Sequence, residues 1–237
     1  MDIIYLYHSA FAIKTNTHFF IFDYYFDLPK GSGLNNGVIN PEKIKDLNVV
    51  VFCSHAHADH YNDIIFSWRK YIPNIRYILS DDIKTYEPSI KLAPNQTLKL
   101  DDLTVTTLKS TDEGVAFLLK ADGYSIYHAG DLNWWNWEGE TKHYNKIMAD
   151  NYQNEIKKLA GEKIDVAFLP MDNRLADSYL MGLDYFMKTV GANIVIPMHT
   201  TNDEVYSRLA SDTHADIYRN KIVVLSKRGQ RFSYSAK

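Results

Sequence analysis

Apolar positions in this chain come in two rhythms, and their alternation predicts the elements. Asp2–Lys14 and His18–Tyr25 are strand-like runs, the second mostly aromatic, with Thr15-Asn16-Thr17 as the turn that pairs them. Val49-Val50-Val51-Phe52-Cys53 is apolar without a break, as expected of a strand covered on both faces. From Asn62 to Tyr71 the spacing changes: Ile64, Ile65 and Trp68, then Ile72, recur at helical intervals. Ile75–Ser80 predicts a further strand and Thr97–Leu100 with Leu103–Leu108 a hairpin. Gly114–Lys120 with Tyr124–His128 forms another hairpin, closed by Ala121-Asp122-Gly123. Helices are expected over Tyr144–Leu159, Ala176–Val190 (stopped by Gly191) and Asp203–Arg219. Strands are expected at Ile164–Leu169 and Asn193–Pro197, with a last strand region at Ile222–Tyr234. Pro41–Lys45 starts a short helix, and Lys30–Asn36 is a loop able to overhang a site. Periodicity alone gives an α/β or α+β chain.

Composition adds that this is one domain, residues 1–237. A chain of 237 residues with 46% hydrophobic content can bury a sizeable core, and no Pro/Gly/Ser-rich tract, charge run or repeat marks a linker. A net charge of −3 gives no general attraction to nucleic acid or to an anionic membrane. The single cysteine excludes an internal disulfide framework and suits a reducing compartment. Met1-Asp2-Ile3-Ile4-Tyr5 lacks the basic and long apolar regions of a signal peptide, and no apolar stretch is long enough to span a bilayer. A cytoplasmic protein off the membrane is expected, with oligomerisation left open.

The candidate chemistry lies in Cys53–Asn62, Cys-Ser-His-Ala-His-Ala-Asp-His-Tyr-Asn, directly after the apolar strand. It offers His55, His57, Asp59 and His60, and three of the nine histidines fall within six residues. Residues two apart on an extended segment project to one side, so His55 and His57 can reach one ion together. Asp59 and His60 diverge as the chain begins to coil and can serve a second position nearby. Imidazole nitrogen with carboxylate oxygen suits zinc, manganese or iron. Cys53 reads as a small core side chain.

His-x-His-x-Asp-His after a buried strand resembles the signature of the metallo-β-lactamase superfamily. The resemblance runs nearly the whole chain, and is nearest to the branch that includes ascorbate-phosphate lactonases and related metal-dependent hydrolases. It implies a four-layer αβ/βα sandwich and one or two divalent ions, zinc or alternatively manganese or iron. It also implies that Asp131, in Tyr127-His128-Ala129-Gly130-Asp131-Leu132-Asn133, bridges two ions, and that His199 is the last ligand. One position then holds Asp59, His60, His199 and Asp131, and the other only His55, His57 and Asp131. The family's third histidine for that second set is missing, since no histidine lies between Tyr61 and Tyr127. An oxygen ligand from Ser110, Asp112 or Glu113 is the expected replacement; water in an open position, or a single tight ion, are the alternatives.

Asp23 is expected to support the ligand loop, as the family implies. His8 reads equally as a pocket residue or an ordinary strand histidine, and His128 as structural or outside the ligand set. Trp134, Trp135 and Trp137 are core anchors or a pocket wall, with Trp134 taken as a pocket candidate. Arg174 pairs either with a substrate phosphate or carboxylate or with a surface carboxylate, and His214 is assigned to the surface. The implied activity is hydrolysis of a small polar molecule (lactone, cyclic amide or phosphoester), with Asp59 or Asp131 accepting the proton of a metal-activated water. Two readings compete: a phosphodiesterase acting on RNA or a cyclic nucleotide, disfavoured by the acidic charge, and a non-catalytic metal-binding protein.

Overall fold

A computed structural model describes residues 1–200 and 204–236. Thirteen strands are named among them. They are β1 (Asp2–Tyr7), β2 (Ala10–Lys14), β3 (Phe19–Phe22), β4 (Val49–Cys53), β5 (Arg76–Ser80), β6 (Ile90–Leu92), β7 (Thr97–Lys99), β8 (Leu103–Lys109), β9 (Val115–Ala121), β10 (Tyr124–His128), β11 (Val166–Pro170), β12 (Ile194–Met198) and β13 (Arg231–Ser233). Three α-helices join them: α1 (Lys142–Lys157), α2 (Met181–Thr189) and α3 (Glu204–Ser211). One sheet has the order β13-β1-β2-β3-β4-β5-β6 and the other β12-β11-β10-β9-β8-β7. β3 to β6 run parallel in the first sheet, and β10 to β12 in the second.

Alternation along β4 explains why its apolar run has no polar face. Val50 and Phe52 point into the core between the sheets, while Val49, Val51 and Cys53 pack on the outside against Ile65 and Trp68. Between the sheets Phe11 meets Phe168 with ring centroids 4.4 Å apart, and Phe52 meets Phe117 at 5.3 Å. Each such fully buried ring contributes about 1.5–3 kcal/mol relative to exposure. Behind the second sheet, Tyr127 stacks on Phe186 of α2 at 5.1 Å. The layers are therefore a helical segment, a sheet, a sheet and a pair of α-helices, the four-layer sandwich expected.

Several elements differ from expectation for local reasons. Asp2–Lys14 is a hairpin rather than one strand, its register shifting between Tyr5 and Tyr7, with His8 in the turn at φ 54°. The Asn62–Tyr71 helix forms as a 3₁₀ segment, Asp63–Lys70, whose first turn is capped by Asn62 accepting the Ile64 N–H at 2.9 Å. Ala176–Val190 breaks at Ala176 (φ 48°) into a 3₁₀ segment, Asn173–Ser178, and α2. The expected Asp203–Arg219 helix begins at a residue outside those described. From Glu204 it runs only to Ser211, after which Asp212 caps a 3₁₀ turn by accepting the His214 N–H at 3.0 Å. Of the Ile222–Tyr234 region only β13 is a strand, Ile222 making an isolated bridge to Val195. β6 was not anticipated. Among the described residues no helix is long and apolar enough to cross a membrane.

The two ends of the sandwich are chemically different. At the carboxyl ends of β3, β4, β10, β11 and β12 the chain runs into Asp23, His55, Asp131, Asp172 and His199. At the opposite end the β2–β3 turn is latched to the other sheet. The buried His18 bonds Asp122 through Nδ1 at 3.1 Å and Asp102 through Nε2 at 3.0 Å, and Asp122 also accepts the Thr17 N–H at 3.1 Å.

Candidate metal centre

Three site residues leave their strands in the left-handed region: His8 (φ 54°), Asp23 (φ 47°) and His199 (φ 61°). Each such backbone costs a non-glycine residue about 1–3 kcal/mol and persists only where surrounding contacts impose it. Asp23, wholly buried, supplies such contacts. It accepts the Ser54 N–H at 2.7 Å, the Ser54 hydroxyl at 2.6 Å and His60 Nδ1–H at 2.7 Å. Ser54 Oγ, its own hydrogen given to Asp23, accepts His55 Nδ1–H at 2.9 Å. One carboxylate thus contacts His60 directly and His55 through Ser54. His199 is oriented the same way, its Nδ1 lying 3.2 Å from buried Asp172. These partners fix the tautomers and leave three Nε2 lone pairs turned inward.

The lone pairs converge on Asp131. Its Oδ1 lies 3.2 Å from His60 Nε2 and 3.1 Å from His199 Nε2, and its Oδ2 lies 3.5 Å from His55 Nε2. The two Nε2 atoms of His60 and His199 are themselves 3.3 Å apart. Acceptors aimed at one another repel unless a proton or cation lies between them. His55 Nε2 and Asp131 Oδ1 are buried without a hydrogen-bond partner. The surroundings bear this out: burial drives His55 down to about 4. Burial opposes charge on His60 and His199 too, but Asp131 outweighs it, raising His60 well above its usual value and His199 to about 8. Asp131, also penalised by burial, is held low by those imidazolium charges. A divalent ion supplies the same positive charge, and the donor set of neutral imidazole and carboxylate fits one.

Donor atoms within 4.8 Å of one another fall into three groups: His8, Asp59, His60 and His199; His55, His60 and Asp131; and His57, Asp112 and Asp131. All six expected ligands are therefore gathered at one end. His57 groups with Asp112 and Asp131, its Nδ1 lying 3.8 Å from Asp112 Oδ2. Burial, with Asp131 nearby, raises the Asp112 carboxyl, a crowding that a cation relieves. Glu113 reaches His57 Nε2 at 3.5 Å from an exposed position. The Ser110 hydroxyl accepts the Asp112 N–H at 3.1 Å and so shapes the turn that presents it. Gly114 closes that turn at φ 68°, where an added Cβ would lie 2.0 Å from Ser54 O and 2.6 Å from His55 Cβ. Only glycine allows this loop to sit against the histidine loop.

Trp134, the pocket candidate, packs away from the site against Tyr152 and Tyr185, with centroids 6.3 and 6.0 Å away. The turn at Gly130 ends the strand, so alternation no longer decides which tryptophan faces inward. Trp135 takes that place. Its Nε1–H donates to Asp131 O at 2.9 Å, its ring meets His199 edge-on at 5.6 Å, and Trp137 stacks on it at 5.9 Å. Trp135, Trp137, Tyr144, Met148, Arg174 and Thr111 line a cleft of about 250 Å³ that opens onto Asp112, Asp131 and His199. Arg174 lines this cleft and forks onto Asp172, a buried carboxylate rather than a surface one, with Nε at 3.0 and 2.8 Å from the two oxygens. Together with His199 it holds Asp172 down at about 2 against burial. His128 is structural, donating to Ser9 O at 2.9 Å, accepting the Gly130 N–H at 3.2 Å and stacking on Phe22. Cys53 is buried and free, and the His214 side chain is exposed. A larger cleft of about 690 Å³, lined by Glu162, Lys163, Asn193 and Tyr234, contains none of these donors.

Asp172 and Ser54 had not been singled out. Asp172 follows a buried strand end as Asp23 and Asp131 do, and that shared placement was its available signal.

Residues 2–199 match the family model described as the beta-lactamase superfamily domain. A UPF0173 metal-dependent hydrolase of Opitutus terrae is 28% identical over 222 residues, covering 84% of either protein. Among solved structures, Igni18, a novel metallo hydrolase from the hyperthermophilic archaeon Ignicoccus hospitalis, superposes with a TM-score of 0.68 at 18% identity, covering 100% of this chain and 99% of that one. The metallo-β-lactamase fold protein YhfI of Bacillus subtilis gives 0.64 at 14% identity, with 98% of each chain covered. These structural likenesses are of fold.

Proposed function

Since the chain belongs to the metallo-β-lactamase superfamily, we propose that it is a metal-dependent hydrolase of a small lactone, cyclic amide or phosphoester. The observation that carries this reading is the meeting of His60 and His199 Nε2 on Asp131, each histidine backed by a buried carboxylate. His55, His57, Asp112 and Asp131 would hold one ion and Asp59, His60, His199 and Asp131 a second, with zinc, manganese or iron suited to these donors. Bound there, a divalent ion supplies a water of lowered pKa and polarises the scissile carbonyl or phosphoryl oxygen.

The remaining work falls to this chain's own groups. Asp59, about half exposed, would accept a proton and pass it to solvent. Asp131, approached by His55, His60 and His199 Nε2 at 3.5, 3.2 and 3.1 Å, would be shared between the two positions. Trp135 and Trp137 shield one side of the cleft from water, and Arg174 brings positive charge for an anionic group of the substrate.

The test pairs metal analysis with hydrolysis assays on generic lactones and bis-p-nitrophenyl phosphate, after loading with zinc, manganese or iron. Hydrolysis that disappears in folded His57→Ala and Asp131→Ala variants is expected. A metal-loaded protein inert towards both substrate classes would overturn the hydrolase reading in favour of a metal-binding protein. Two tightly held ions that survive replacement of Asp112 and Glu113 by alanine would remove Asp112 from the ligand set.

A further inference from the structure

His8 lies outside the histidine motif, on the first hairpin of the chain, yet the fold works to hold it at the centre. The pairing of β1 with β2 slips between Tyr5 and Tyr7, a kind of irregularity that often re-aims a side chain beside an active site. His8 then adopts the left-handed backbone at φ 54°, and its N–H is fixed by Tyr5 Oη at 2.9 Å. The next residue, Ser9, is anchored to the opposite sheet through His128. The imidazole so placed lies 4.1 Å from the His199 ring and 6.0 Å from the His60 ring, centroid to centroid. Its Nε2 is buried and has no hydrogen-bond partner. The nearest carboxylate oxygen, Asp59 Oδ2, is 3.6 Å away, too far for a hydrogen bond.

That distance is the one a shared ion requires. Donor atoms bonded at 2.0–2.2 Å in a tetrahedron are about 3.3–3.6 Å from one another. His8 Nε2 to Asp59 Oδ2 is 3.6 Å and His60 Nε2 to His199 Nε2 is 3.3 Å. The ligand atoms of all four residues lie within 4.8 Å of each other. We infer that His8 is a direct ligand of the second metal position, completing a His8–Asp59–His60–His199 set with Asp131 at its edge. The inference rests on the metal-centre reading and adds to it a ligand from a part of the chain remote from the motif. With His8 in place this position has three imidazoles and is the more nitrogen-rich of the two.

The test uses His8→Asn, because asparagine tolerates the left-handed backbone while removing the imidazole. Cobalt(II) is titrated into metal-free wild type and variant, following the visible absorption bands and the two dissociation constants by chelator competition. In wild type two binding events are expected. In His8→Asn one of them weakens roughly 10- to 100-fold with a changed cobalt spectrum, while the other is retained. Two unchanged constants and an unchanged spectrum in the variant would overturn the inference and leave the metal centre standing. Failure of wild type to bind cobalt would overturn both. Unaltered far-ultraviolet circular dichroism of the metal-free variant separates loss of a ligand from loss of fold.

Discussion

Replacing Asp23 by asparagine separates what this carboxylate does for stability from what it does for the metal. As a carboxylate it accepts from Ser54 N, Ser54 Oγ and His60 Nδ1 at 2.7, 2.6 and 2.7 Å. Asparagine keeps the shape but offers one accepting oxygen and an NH₂ group. If its oxygen stays on Ser54 N, the NH₂ faces His60 Nδ1–H, donor against donor. The ring escapes by moving its proton to Nε2, and that removes the lone pair aimed at Asp131 and His199. Two charge-assisted bonds to the replaced oxygen are lost, from His60 Nδ1–H and from the Ser54 hydroxyl, so the metal-free protein should lose about 3–6 kcal/mol in urea unfolding. Metal affinity at the position served by His60 should fall about 10- to 100-fold, roughly 1.4–2.7 kcal/mol, in a chelator competition. The two losses come from different steps and are measured separately. A variant destabilised to that extent but binding metal as tightly as wild type would refute the claim that Asp23 sets the His60 tautomer.

Three further outcomes follow from the same geometry. Gly114→Ala forces a Cβ to 2.0 Å from Ser54 O at positive φ, and a loss of about 2–5 kcal/mol is expected in thermal or urea unfolding; a neutral result would show that the loop moves away freely. Free metal at a hundred times its dissociation constant should stabilise the fold by about 2.7 kcal/mol and raise the melting temperature by roughly 5–11 °C, reversed by chelator, and an unshifted melt would contradict a folded-state site. Metal must displace the proton that the raised His199 keeps up to about pH 8. Affinity should therefore tighten as pH rises towards that value and level off above it, whereas pH-independent binding between about pH 6 and 8 would count against His199 as a ligand.

The parts legible in the sequence share a reason. His55, His57, Asp59 and His60 stand in one short loop, so their spacing reported that they gather, and the unbroken apolar β4 located that loop at a strand end; it did not report the partners, since His55 groups with His60 and Asp131, and His57 with Asp112 and Asp131. Asp131 and His199 came only through the family resemblance, because a lone residue at a distant strand end has no spacing partner. Asp172 had the same disadvantage and no counterpart in the resemblance to rescue it. Trp134 and Trp135 could not be told apart because strand alternation stops at the Gly130 turn. His8 was undecided for a related reason: the slip in β1 and the left-handed turn are set by contacts from other strands. The 3₁₀ rather than α form of Asp63–Lys70 was hidden as well, since apolar spacing does not distinguish bonding to the third residue from bonding to the fourth.

The latch of His18 between Asp102 and Asp122 has a mechanical consequence for the far end of the molecule. His55, His57, Asp59 and His60 hang from one sheet, and Asp112, Asp131 and His199 from the other, so the gap between them is a gap between two rigid plates. Clamping the plates at one edge leaves them no easy way to slide or splay at the other. Cutting the clamp with His18→Ala, at the opposite end of the sandwich from the donors, should then read out as a slacker grip on the ion. A spring tuned at its fixed end is felt at its tip.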